Sequence, residues 1–355
     1  MNVLKNSLKA DTLRLFFCYL CVNIFFRRGV FFMKILFVID RVELKYFEFN
    51  KLVTNFWLIK GLLERGCEVY ISTIDMLKLK SAKAYSDCYR SFEKDDNIFF
   101  EKDNLQEFCV NDFELVMFRP DPPVDLDYIN ATYILDFVDK SKTFIMNDTV
   151  SVRNFNEKLH AVMFNDLMPE NIVTSSFNDI LSFLKDKNEI IIKPLNQCFG
   201  GGVMYLKNGD KNTAVIINQM TNNGSKTVMV QKYIDKAVYG DKRVLFLGEN
   251  ILPYCVQKVP SNNDFKFCEH CDSNIKKAVL SDDEIEKFKP VAKKLNSMGI
   301  YMAGLDVIDG KIIEINVTSP CYFIKEINSH FGCNLQDEIV NYILSKVKNS
   351  LYALK

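Results

Sequence analysis

A chain of 355 residues is long enough for one large or two medium domains, and 48% apolar residues supply buried cores rather than a disordered polymer. Lysine plus arginine equals aspartate plus glutamate at 45 each, so no whole-chain field favours nucleic acid or an anionic membrane, and any anion site must be local. The eleven cysteines are odd in number and irregularly spaced, which fits a reducing cytoplasm better than a secreted disulfide scaffold.

Residues 1–32 differ in character from the rest of the chain. Leu15 to Phe26 is an apolar run broken by Asn23 and flanked by Arg14 and Arg27-Arg28, too short to span a bilayer comfortably. No small-residue cleavage site follows before Phe31-Phe32. We read this segment as an extension outside the fold, with Met33 as the biological start and a membrane anchor as the second reading. Cys18-Tyr-Leu-Cys21 and Cys268-Glu-His-Cys271 are C-x-x-C pairs, and such pairs are weak evidence for zinc unless they meet in space.

An N-terminal α/β domain is expected over 33–150. Ile35 to Ile39 is a continuous apolar run typical of a strand buried on both faces. Lys51 to Glu64 predicts a helix stopped by Gly66, and Glu68 to Thr73 the next strand, a β-α-β opening without the glycine fingerprint of a nicotinamide site. Asp75 to Asn111 is charged and irregular, predicting loops and short elements. A strand at Phe113 to Phe118 then runs into Arg119-Pro-Asp121-Pro-Pro-Val-Asp125, a proline-stiffened loop at a strand's C-terminal end, where α/β proteins bind ligands or simply turn.

The second half, 151–350, carries a nucleotide-binding pattern. Asn156 to Leu159 predicts a helix start with Asn156 as N-cap. Glu189-Ile-Ile-Ile-Lys193-Pro194 predicts a strand, and Gly200, Gly201 and Gly202 follow, residues that let backbone amides approach phosphate beside a lysine charge. Val228 to Ile234, with Gln231 and Tyr233, predicts an edge or linker strand, and Gly240 to Leu247 a strand opened by Asp241, Lys242 and Arg243. From Asn334 onward, Ile339, Ile343 and Val347 predict a closing amphipathic helix.

Asp306, Glu314 and Asn316 place three oxygen ligands on one predicted hairpin, a set suited to a hard cation such as Mg²⁺. Convergence depends on the turn. A two-residue turn at Asp309-Gly310 would pair Asp306 with Ile313 and send Glu314 to the other face. A three-residue loop Ile308-Asp309-Gly310 would pair Val307 with Lys311 and put all three ligands on one face, and it is the expected arrangement.

These residues resemble the bacterial glutathione synthetase family of ATP-grasp ligases. Arg119-Pro-Asp-Pro-Pro, Arg153-Asn-Phe-Asn-Glu-Lys-Leu159, Gly240-Asp-Lys-Arg243 and Asp306 to Pro320 occur in the family's order, and the likeness runs from about Met33 to Leu344. The resemblance implies an N-terminal α/β domain followed by a two-lobed α+β ATP-grasp domain clamping ATP. It implies phosphate roles for Lys158, Lys193 and Gly200 to Gly202, and a nucleotide pocket at Gln231, Tyr233, Ile234 and Asp241. Asp306, Glu314 and Asn316 would hold Mg²⁺, or Mn²⁺ in its place. Arg243 would face the reacting groups, with Arg119, Asp121, Lys258, Thr318 and Ser319 beside the peptide. The implied reaction joins γ-glutamylcysteine and glycine through an acyl phosphate, in a cytoplasmic protein, and the resemblance is compatible with a homo-oligomer.

The sequence departs from the family at Asn147-Asp148-Thr149, at Asn196-Gln197 with Phe199, and at the glycine-free run Ser261 to Lys277, where Lys258 and Lys266 replace the usual arginines. That run is expected to be a lid that still covers the site and holds the acyl phosphate less securely. A ligase of altered acceptor and a nucleotide-binding protein with weak catalysis are the alternatives.

Overall fold

A run of apolar residues with no polar face can only be buried on both sides, and Lys34–Ile39 (β1) is the centre of the first sheet. A computed structural model describes residues 33–41, 51–197, 201–261 and 274–352. The readings of the N-terminal segment, both C-x-x-C pairs, Gly200, Phe199 and Lys266 lie outside these residues. Ile35, Phe37 and Ile39 enter one core and Leu36 and Val38 another. Beside β1 lie Glu68–Thr73 (β2) and, on the other side, Leu115–Phe118 (β6) and Phe144–Met146 (β7), all parallel. The intervening helix is Thr54–Glu64, starting three residues later than expected, and it ends where Gly66 adopts φ 79°.

The stretch after Asp75 corrects the sequence reading. Instead of loops it forms Leu77–Lys80 (β3) and a long hairpin, Lys83–Lys94 (β4) and Asn97–Cys109 (β5), which pair antiparallel and extend the sheet beyond β2. The inward positions of β4 are Ala84, Ser86, Cys88 and Ser91, small or polar, so the alternation along that strand carries little hydrophobic contrast, whereas β5 buries Ile98 and Phe100. Ser72 and Ser86 join their hydroxyls at 2.7 Å inside it.

Among the described residues two further sheets follow, both antiparallel. Asn171–Thr174 (β8), Glu189–Pro194 (β9), Met204–Lys207 (β10) and Val228–Lys232 (β11) lie in the order β10-β9-β11-β8. β11 is therefore interior, not an edge or linker strand. Helices Phe177–Lys187 and Thr213–Met220 cover one face and close a separate core around Ile180, Leu184, Ile192 and Val230.

The last sheet has the order β14-β13-β12-β15-β16, from Asp241–Leu247 (β12), Asn250–Val259 (β13), Asn274–Ala278 (β14), Met302–Ile308 (β15) and Lys311–Asn316 (β16). β14 corrects the end of the expected lid, because Asn274 to Lys277 pair with β13. Helix Asp282–Ser297 opens with a capping box of Ser281 and Glu284. The chain then returns to its beginning. Helix Leu335–Leu351 buries Ile339, Val340, Ile343 and Val347 in the same core as Ile35 and Phe37.

Candidate active site

The hairpin of β15 and β16 reaches the expected convergence by a route that the sequence did not show. Asp309 and Gly310 both take positive φ, 49° and 68°, and Ile308 pairs with Lys311, so the connection is a two-residue turn and not the three-residue loop. A register shift between Asp306 and Val307 then leaves Ile313 as the extra residue of a β-bulge, and Asp306 lies opposite Glu314. Glu314 and Asn316, two residues apart on one strand, share that face. The bulge has a second effect: the Ile313 carbonyl accepts from Lys193 Nζ at 3.3 Å.

Lys193, from β9, and Lys158 both line the cleft between the second and third sheets, and both are buried. Asn156 does not cap an α-helix here. Its Oδ1 accepts from the amides of Lys158 and Leu159, fixing a turn before the 3₁₀ segment His160–Leu167. Lys158 Nζ reaches Glu314 Oε1 at 2.9 Å and the Gln197 carbonyl at 2.6 Å. Burial pushes the Lys193 ammonium down to about 8, although Glu314 acts in the opposite sense.

A buried group of four charges occupies the floor of the cleft. Arg243 grips Asp306 through Nε at 2.7 Å and Nη2 at 3.1 Å, and Lys258 bridges Asp306 at 3.0 Å and Asp241 at 2.7 Å. Burial opposes ionisation of Asp306, yet Arg243 and Lys258 hold its carboxyl well below the usual range. Gly240 makes the Asp241–Lys258 approach feasible: at φ 92° a Cβ there would sit 2.1 Å from the Lys258 carbonyl oxygen. The Arg243 guanidinium also donates to the Cys321 carbonyl at 3.0 Å and lies over the Phe323 ring, 5.6 Å from its centroid.

The remaining expected residues fall along the same cleft, a cavity of about 330 Å³. Gly201, Gln231, Tyr233 and Ile234 line one side, and Asp121, Thr318 and Ser319 the other. Gln231 is 2% exposed and its Nε2 has no partner among the described residues, a donor poised for a ligand. Arg119 is buried behind Ser319, donating to Asn55 Oδ1 at 2.7 Å, Ser319 Oγ at 3.3 Å and the Pro320 carbonyl at 3.2 Å. It braces the wall of the cleft and is not among the residues that line it. Gly202 packs its φ 69° turn against Gln197 and Pro194.

Two buried residues were given no role in the site from sequence. Asn147 uses its whole amide, donating to the Met302 and Val317 carbonyls and accepting from the Tyr301 and Met302 amides, and so ties the first sheet to the third. Glu157 accepts from the amides of Val317 and Thr318 and the Thr318 hydroxyl. Burial and the nearby Glu314 push its carboxyl above the usual range. Only its place beside Lys158 could have drawn attention to it, since no spacing rule marks a lone glutamate.

The donor set fits a hard cation. Asp306, Glu314 and Asn316 lie on one face, with Asp306 held by Arg243, Lys258 and the Asn316 amide, and among the described residues no cluster of three His, Cys, Asp or Glu competes. A site of one or two carboxylates completed by ligand oxygens is what Mg²⁺ takes.

The architecture is that of an ATP-grasp ligase. It aligns with a D-cycloserine synthetase at TM-score 0.61 and 12% identity, over 89% of this chain and all of the other. It also aligns with D-alanyl-alanine synthetase A from Vibrio cholerae at 0.59 and 13%, over 91% and 99%. Residues 33–153 match the family model for the N-terminal domain of prokaryotic glutathione synthetase, and residues 157–332 match that for its ATP-grasp domain. Glutathione synthetases from Vibrio parahaemolyticus and Neisseria meningitidis serogroup A are 31% and 32% identical, over 83% and 82% of this chain and 93% and 92% of theirs. The chain belongs to the prokaryotic glutathione synthetase family.

Proposed function

We propose that this chain joins γ-glutamylcysteine to glycine at the expense of ATP, giving glutathione, ADP and phosphate. The observation that carries the reading is the meeting of Lys158, Lys193, Asp306, Glu314 and Asn316 in one cleft of a chain from this family. Phosphoryl transfer needs positioned cations far more than covalent help from the protein, and two buried lysines with Arg243 provide them. Lys158 and Lys193 would hold the phosphates, with Gly201 and Gly202 bringing backbone amides close. Gln231, Tyr233, Ile234 and Asp241 would border the nucleoside. Asp306, Glu314 and Asn316 would hold Mg²⁺, or Mn²⁺, which when bound neutralises phosphate charge.

The cysteinyl carboxylate of the peptide, bordered by Asp121, Lys258, Thr318 and Ser319 with Arg119 behind them, attacks the γ-phosphate and gives an acyl phosphate and ADP. Arg243 would steady the charge that develops. Glycine's amine then displaces phosphate. The acyl phosphate must be kept from water during its lifetime, which places a premium on closure of the cleft. The test is ADP release and glutathione formation by the purified chain, with glycine varied against alanine and serine. Glutathione formed one for one with ADP and only with glycine supports the reading; ADP release without any amide product overturns it.

A further inference from the structure

Glu157 is 8% exposed and lines the cleft. Its Oε1 accepts all three of its hydrogen bonds, from Val317 N at 2.7 Å, Thr318 N at 3.0 Å and Thr318 Oγ1 at 3.0 Å. Among the described residues Oε2 finds no donor, and no lysine or arginine nitrogen makes an ion pair with this carboxylate, because the adjacent Lys158 turns to Glu314 at 2.9 Å. Oε2 is open to the cleft, where an incoming cation can meet it. Three neutral donors satisfy one oxygen and leave the other for something the cleft receives.

The reaction brings two ammonium groups, one on the γ-glutamyl residue and one on the acceptor amino acid. The acceptor's amine must lie at the acyl carbon, beside the phosphate-binding groups, whereas the γ-glutamyl ammonium lies at the far end of the peptide. Glu157 follows Asn156 and precedes Lys158, and its backbone carbonyl accepts from Ile315 N at 3.0 Å, between Glu314 and Asn316. That is the reacting end of the cleft. Its side chain, however, reaches Val317 and Thr318, past the metal set and toward the peptide wall. The place is the junction where an incoming amine would meet an activated carboxyl group.

We propose that the unpartnered oxygen of Glu157 receives the ammonium group of the acceptor amino acid. The inference rests on the ligase reading above and deepens it. Glu157→Gln keeps an oxygen to accept from Val317 and Thr318 while removing the charge, so positioning of the strand and recognition of a cation separate. The expected result is a rise of at least tenfold in KM for glycine, with KM for ATP and for γ-glutamylcysteine within twofold and an unchanged melting temperature. Hydroxylamine, an amine uncharged at neutral pH, captures acyl phosphates and does not need the carboxylate. Its capture should fall less than threefold in the variant.

An unchanged glycine KM overturns the proposal. So does an equal loss with hydroxylamine, which would make Glu157 a general support, or a raised Mg²⁺ requirement, which would make it a metal neighbour. If the variant does not fold, the wild type decides: methylammonium should compete with glycine and not with hydroxylamine, and absence of that inhibition counts against the site. Failure of the wild type to make any hydroxamate from ATP and γ-glutamylcysteine would instead reject the ligase reading itself.

Discussion

Lys193 shows how a single residue links burial to function. Burial brings its ammonium from 10.5 to about 8, and its one hydrogen bond among the described residues is to a carbonyl at 3.3 Å. Since the folded value lies below the unfolded one, the folded chain binds fewer protons between about 8 and 10.5. The unfavourable contribution of this group to stability is therefore full below about 8 and is relieved as pH rises through that window. On the proposed role of Lys193, ATP binding runs the other way, because a triphosphate needs the charged form. Titration calorimetry should show ATP affinity falling severalfold between pH 7 and 9, and Lys193→Ala should flatten that dependence and raise KM for ATP more than KM for the peptide. Glu314→Gln removes a full negative ligand from an all-oxygen set. Turnover should be lost with the circular dichroism spectrum unchanged, and retained activity would remove the metal assignment. The place of both residues in the cleft was legible in the sequence, because a lysine beside a glycine triplet and an E-x-N strand carry chemistry in their spacing. Glu157 and Asn147 were not, because their importance lies in which backbone groups meet them after folding.

At the scale of the element, strands with strong apolar contrast were the legible ones. Glu68–Thr73 and Glu189–Pro194 fall where their sequences put them. The β4–β5 hairpin did not, because the inward face of its first strand, β4, is built from Ala84, Ser86, Cys88 and Ser91. The β15–β16 hairpin is instructive in another way. Turn chemistry favoured the two-residue turn at Asp309-Gly310, and the ligand set favoured the alternative; the chain satisfies both by inserting Ile313 as a bulge. A bulge cannot be read from a pattern of alternation, since it is itself the break in that pattern. Elsewhere the local signals suffice. The capping box at Ser281 satisfies the first turn of helix Asp282–Ser297. Ser281→Ala should lower stability by about 1 kcal/mol, seen as a reduced melting temperature with kcat unchanged.

The whole molecule is closed by its last helix. Leu335, Ile339, Val340, Ile343, Val347 and Leu351 are buried in a core that also contains β1 and helix Thr54–Glu64. At about 1.5–3 kcal/mol for each such side chain, their removal would forfeit on the order of 10 kcal/mol, comparable to the entire stability of a typical domain. A chain ending at Asn334 should therefore fail to fold, and a cooperative melt from that truncation would show that the helix contributes far less. The surface pair of Arg65 and Asp337, at 2.9 Å between the same two helices, contributes little beside that burial.

The separate core of the second sheet bears on how the protein comes apart. Ile180, Ile190, Leu206, Ile217 and Val230 pack among themselves, and across the sheet it is Met229, with partly buried Val173 and Leu195, that meets the core of the third. So thin a seam between two well-filled interiors sets up a molecule with two melting units rather than one. Scanning calorimetry of the free protein should resolve a lower transition for residues 171–232. A nucleotide held, as proposed, by Lys193 of one unit and through a cation at Asp306 of the other would lend its binding energy only while both are intact. Saturation with ATP should therefore draw the two heat-absorption peaks into a single one.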